Sequence, residues 1–177
     1  MTRTIGIVLT VPEPFGGHLR AKRLSYGDAQ GLTVPPHITL LPPTDIPATT
    51  YAALLEHVRD VAAHTAPYPV MLRSTGTFRP VSPVVFVQVA RGIAECERLE
   101  AAIRSGPVER PLDFPYHPHV TVAHHLDDVD LDRAFADLSS FSGTFTADAV
   151  DVYEHLDGRW EQCARLPLTG GPVDASQ

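Results

Sequence analysis

The chain has 177 residues and a mass of 19.2 kDa, which suits one domain or two small lobes sharing a core. Apolar residues make up 44% and charged residues 20%, a globular composition that excludes wholesale disorder. The 14 Lys and Arg against 21 Asp and Glu give a formal net charge of -7. That balance disfavours long nucleic acid, where neutralisation of phosphates by basic side chains dominates, but it leaves room for a small nucleotide or an RNA end. Cys96 and Cys163 are too few and too far apart for a CxxC zinc site or a disulfide scaffold, and two buried free thiols are expected. The apolar run within Met1–Val11 is short for a signal-peptide core and far below the ~20 residues of a membrane span. The chain is therefore expected to be cytoplasmic, without a membrane partner, and a monomer.

Seventeen prolines punctuate the elements. The β-branched run Thr4–Val11 predicts a buried strand ending at Pro12. A helix is expected from Glu13 to about Gln30, stopped by Gly31, then a short strand His37–Leu41 bounded by Pro35-Pro36 and Pro42-Pro43. Tyr51, Leu54, Leu55, Val58 and Val61 mark one face of a helix over Thr50–His64. Strands follow at Tyr68–Phe78 and Val84–Ala90, separated by a turn over Pro80–Pro83. Ile93, Cys96, Leu99 and Ile103 predict a further helix, stopped by Gly106-Pro107. His119–Ala123 reads as a strand and Asp130–Leu138 as a short helix. Phe141–Tyr153 and Trp160–Leu168 read as closing strands joined through Asp157-Gly158. The expected domain is 1–168, with 169–177 a disordered tail.

This order contains a repeat. Strand, helix and Pro-Pro-His37-Ile-Thr39-Leu in the first half match strand, helix and His-Pro-His119-Val-Thr121-Val in the second. Two strand–helix–strand units imply a bilobal, pseudo-twofold α+β fold, with mixed or antiparallel sheets around a central cleft and helices outside. Residues i and i+2 of a strand share a face, so His37 projects with Thr39 and His119 with Thr121, and the pseudo-symmetry sets the pairs across the cleft. That set suits phosphoryl chemistry. One imidazole takes a proton from the attacking oxygen, the other protonates the leaving oxygen, and each hydroxyl donates to a phosphate oxygen.

Pro36-His37-Ile38-Thr39-Leu40 and Pro118-His119-Val120-Thr121-Val122 resemble the twin His-x-Thr-x signatures of the two-histidine (2H) phosphoesterase superfamily, and within it the bacterial 2′-5′ RNA ligase-like proteins. The resemblance extends over residues 4 to 168 through motif order and spacing. It implies a bilobal fold with His37, Thr39, His119 and Thr121 lining the cleft. It also implies metal-independent chemistry, without a cofactor, on 2′,3′-cyclic phosphates or related ribose phosphodiesters. The repeat leaves open which histidine is the base. Many members carry an arginine shortly after the second motif, where this chain reads His124-His125. Histidine is a weaker, pH-dependent substitute for a guanidinium. The nearest basic residues in sequence are Arg110 and Arg133.

Other residues invite readings of their own. Phe78 and Phe86 are candidates to stack a base, with core packing the plainer role. Tyr116 lies on the approach to the second motif, and His124 is a candidate phosphate neighbour. The cluster His117, His119, His124 and His125 offers a metal-dependent hydrolase as an alternative, with Asp127 or Asp128 as a further ligand. A nucleotide-binding module with little catalysis is another. Asp127–Asp132 lacks the glycine and terminal glutamate of a calcium loop and reads as a helix N-terminus.

Overall fold

In β1 (Thr2–Thr10) the side chains alternate: Ile5, Ile7 and Leu9 enter the core, while Gly6 and Val8 line a cavity on the opposite face. The computed structural model describes residues 1–171. After β1 come α1 (Phe15–Ser25), β2 (His37–Pro47), α2 (Tyr51–His64), β3 (Tyr68–Thr77), β4 (Val84–Arg91) and α3 (Ile93–Arg104). The chain continues through β5 (His119–His124), α4 (Asp128–Asp137), β6 (Ser142–Ala147), β7 (Ala149–Leu156) and β8 (Arg159–Pro167).

The expected α+β fold of antiparallel strands is present, and its two halves share one sheet. All eight strands form a single sheet in the order β6-β3-β4-β5-β2-β1-β7-β8, with every pairing antiparallel. The halves meet where β2 pairs with β5, and the register there is Ile38 opposite Val120. The helices cross this junction: α1 of the first half packs on β5, and α3 of the second packs on β2. Leu19, Leu99 and Ile103 from these helices lie in the same buried cluster as Ile38 and Val120.

Three expectations need correction. Pro42 and Pro43 do not end β2, which runs on to Pro47. Among the described residues that strand has no ladder partner on its β5 side beyond Ile38, so the prolines sit on an unpaired edge, and the shift between Ile5/Thr44 and Ile7/Leu41 is a bulge that absorbs them. The helix expected to Gln30 stops at Ser25, because Gly27 takes a left-handed φ of 95°. Asp28 then caps a separate 3-10 turn, Ala29–Leu32, by accepting the Gln30 amide at 3.0 Å. Phe141–Tyr153 is two strands, β6 and β7, divided at Asp148. One residue spans at most about 7 Å, yet β6 is the edge strand beside β3 while β7 lies between β1 and β8. The sheet therefore curls until these distant positions approach each other.

The Asp157-Gly158 hairpin forms as expected, with φ of 48° and 80° and Leu156 opposite Arg159. Asp127 caps α4 through the Asp130 amide at 2.9 Å, the helix N-terminus read from the sequence. Past Leu168 the chain is still tied down: the Thr169 amide donates to Ala62 and the Gly170 amide to Thr65. The remainder of the expected tail, 172–177, lies outside the described residues. Cys96 is a buried free thiol, whereas Cys163 is exposed. Among the described residues no helix is long and apolar enough to cross a membrane.

Ile38 is fully buried at the junction of the halves. Ile38→Ala should cost about 2–5 kcal/mol of unfolding free energy, read by urea denaturation; a loss under about 1 kcal/mol would contradict the junction's structural weight.

Candidate active site

The two motifs occupy neighbouring strands. Continuing the antiparallel register one residue either way from Ile38/Val120 sets His37 beside Thr121 and Thr39 beside His119. Each histidine thus neighbours the other half's threonine, and the four side chains form a square on one face of the sheet. Expected to face one another across a cleft, the pairs stand side by side on adjacent strands.

Both motifs carry the same irregularity one residue further on. Between Thr39/Val8 and Leu41/Ile7 the register of β2 slips by one residue, and between Thr121/Phe86 and Ala123/Val85 that of β5 does likewise. The extra residues, Leu40 and Val122, are buried. In β5 the bulge shifts the alternation: Val122 and Ala123 are both buried, and the strand returns to the cavity face at His124. His124 reaches the cavity for this reason.

The imidazoles are anchored alike. Nδ1 of His37 lies 2.8 Å from the Pro35 carbonyl, and Nδ1 of His119 lies 2.7 Å from the His117 carbonyl. A carbonyl only accepts, so Nδ1 carries the proton in both rings and Nε2 is the nitrogen left for chemistry. Burial holds both imidazoles below the ordinary histidine range, against the carbonyl bonds that raise them. Arg23 and His119 push His37 down further, and His117 does the same to His119.

Two adjoining cavities meet at Thr39. The smaller and more polar one, about 200 Å³, is lined by His37, Thr39, Thr121, His124, Arg23 and Trp160. An apolar one of about 570 Å³ lies on the His119 side, under the segment that carries Leu112, Phe114 and Tyr116. Arg23 is the residue that sequence reasoning missed. It sits on α1, 8% exposed, paired with Asp28 at 2.8 Å. A basic residue in an amphipathic helix gives no sign of pointing inward; a buried acid five positions later, across the Gly27 bend, is the only local hint.

The remaining candidates fall into place differently. Phe86 is 4% exposed and Phe78 partly buried, with ring centroids 4.5 Å apart and 5.1 and 5.0 Å from His119. They wall in the His119 ring, and Phe86 rests on Gly76, where a Cβ would meet the ring at 2.6 Å. The Tyr116 hydroxyl donates to the Thr39 carbonyl at 2.9 Å, tying the second half's approach segment to the first half's motif. His124 stacks on His125 with centroids 3.6 Å apart, and burial lowers its pKa, with His125 adding to the effect. The proposed metal cluster is divided, since His117 packs with His119 and the aromatic rings while His124 and His125 stack together. Among the described residues no three His, Cys, Asp or Glu side chains gather at one point. Arg133 bonds the Ser25 carbonyl and Asp130, and Arg110 lines the apolar cavity.

A one-sheet α+β fold of two related halves, with paired His-x-Thr strands at their junction, defines the two-histidine class of phosphoesterase. A profile of the 2′-5′ RNA ligase superfamily matches residues 11–159, and the chain belongs to that family. It is 24% identical over 158 residues to a protein described as a candidate phosphoesterase of Halalkalibacterium halodurans, covering 88% of this chain and 91% of that one. A similarly described protein of Geobacillus kaustophilus is 26% identical over 159 residues, covering 88% and 90%. Among solved structures, LigT of E. coli complexed with NADP+ superposes with a TM-score of 0.69 at 17% identity, covering 96% of this chain and 99% of that one. TT0787 of Thermus thermophilus gives 0.66 at 20% identity, covering 94% and 98%. At such identities the structural likeness is one of fold.

Tyr116→Phe removes one hydrogen bond across the pseudo-dyad. It should lower unfolding free energy by about 1 kcal/mol in urea titrations; an unchanged midpoint would contradict the tie.

Proposed function

We propose that the chain is a metal-independent phosphoesterase that opens 2′,3′-cyclic phosphates, or cleaves a related ribose phosphodiester, on a small nucleotide or an RNA end. The observation that carries this reading is the matched anchoring of His37 and His119, each with Nδ1 on a backbone carbonyl and Nε2 without a hydrogen bond among the described residues, beside two threonine hydroxyls. LigT of E. coli has been crystallised with 3′-AMP, ATP and phosphate, which supports a nucleotide as the ligand class.

In hydrolysis, one neutral imidazole takes a proton from water as the water oxygen bonds to phosphorus. The other imidazole, protonated at Nε2, gives its proton to the ribose oxygen whose bond to phosphorus breaks. The product is a ribose monophosphate, and the proton inventory of the two histidines is reversed. Thr39 and Thr121 donate to the non-bridging oxygens as charge grows on them. The matched Nδ1 anchoring leaves either histidine able to serve as base, and the roles exchange when the reaction runs towards ligation. The scheme draws on protons and hydroxyl dipoles alone.

His37→Ala and His119→Ala should each lower kcat at least ~10²-fold on adenosine 2′,3′-cyclic phosphate with the fold intact. Turnover should persist in EDTA. Near-normal turnover in either variant would sink the assignment, and complete loss in EDTA, restored by zinc or manganese, would favour a metal hydrolase. Binding without product on long incubation would favour a nucleotide-binding module.

The pH dependence has a definite sign. The productive free enzyme holds one neutral and one protonated imidazole, so kcat/KM peaks between their two pKa values. Both lie below the ordinary value, about 6.5. Log kcat/KM should therefore fall as pH rises above about 6.5. An optimum above about pH 8 would contradict two imidazoles whose pKa values burial has lowered.

A further inference from the structure

We propose that Arg23 holds the substrate's phosphate in the cleft and that Asp28 is its positioning residue, a proposal that rests on the phosphoesterase reading above. Arg23 lines the polar cavity together with His37, Thr39 and Thr121. It is the one Lys or Arg among the described residues of that lining, which contains no Asp or Glu although the whole chain carries a formal charge of -7. An acidic protein that keeps carboxylates away from one cavity, and buries a guanidinium in its wall, has built a place for an anion.

The guanidinium is fixed before any ligand arrives. Its Nε donates to Asp28 Oδ2 at 2.8 Å, and Nη2 reaches Gln30 Oε1 at 3.5 Å. Asp28 is itself 4% exposed and held from two further sides, accepting from the Gln30 amide at 3.0 Å and from the His124 amide at 3.1 Å. Arginine carries more N–H donors than these bonds consume, and the fork geometry suits phosphate oxygens. The single oxygen Asp28 Oδ2 joins Arg23 to the backbone of His124, where the family resemblance led one to expect an arginine. The cation comes from α1 and crosses the junction of the halves to reach β5. Other arginines near the cleft are committed elsewhere: Arg79 bridges Asp128 and Asp132, and Arg133 pairs with Asp130. Arg110, on the apolar cavity, is the rival.

Trp160, the single tryptophan, lines the same cavity and reports binding by fluorescence. The test titrates the full chain with inorganic phosphate and measures turnover of adenosine 2′,3′-cyclic phosphate. Removing Arg23 alone leaves Asp28 buried and unpaired, a variant at risk of misfolding. Two others avoid that: Arg23→Lys keeps a charge for Asp28 but loses the fork, and the double substitution Arg23→Gln/Asp28→Asn leaves no buried charge. Arg23→Lys should weaken phosphate binding and raise KM about tenfold, and the double variant should lower kcat/KM about 100-fold, with melting temperatures recorded alongside. Asp28→Asn should raise KM more than it lowers kcat, a split that a merely structural role would not produce. Phosphate binding and KM within twofold of wild type in the folded Arg23 variants would overturn the proposal. So would a larger loss in Arg110→Gln, or a wild type that binds no phosphate. If wild type binds phosphate but turns over nothing, the phosphoesterase reading fails and the binding titrations still decide for or against Arg23.

Discussion

The pairing of Ile38 with Val120 is the interaction on which the site depends. It joins two related half-sheets into one, and because it is antiparallel it inverts one motif relative to the other. That inversion sets each histidine beside the opposite threonine. A parallel pairing would put the two histidines together and the two threonines together. The buried apolar residue in the middle of each motif therefore does as much for the geometry as the polar residues on either side. Its burial under crossed helices α1 and α3 makes the junction part of the core, so that the square of polar groups rests on buried apolar residues.

Around this junction the two halves use the same devices with different surroundings. Both imidazoles are oriented by a carbonyl two residues earlier, and both strands bulge after the threonine. The environments then diverge. His37 faces a polar cavity with a buried guanidinium, whereas His119 is walled in by Phe78 and Phe86 and borders an apolar cavity. A duplicated scaffold has thus become chemically polarised, and two identical residue types stand in unlike fields. Burial dominates in both cases, and for a basic group burial favours the neutral form.

Much of this was legible from residue order. The repeat, the paired motifs, most strand and helix positions and the closing hairpin follow from periodicity and turn chemistry, which act over a few residues. The misreadings share a physical origin. Pro42-Pro43 stops a strand only where its amides are needed, and β2 has a free edge there. Asp148 is too small a punctuation mark to announce that β6 and β7 belong to opposite halves. Aromatic residues look alike in sequence whether they meet a base or pack on a neighbouring ring, so only the structure shows Phe78 and Phe86 flanking the His119 imidazole and Tyr116 bonded to the Thr39 carbonyl.

The sequence by itself determined that two His-x-Thr strands recur in corresponding places, and hence which four side chains share a face in pairs, because a strand's period of two is local. Only the tertiary structure decided how those pairs meet, that Asp28 clamps Arg23 into the wall of the cavity lined by His37, Thr39 and Thr121, and that the His117–His125 cluster is split. These depend on strand register, bulges and a helix crossing between halves. All three are settled by the packing of residues far apart in the chain, for which no short stretch carries a signal.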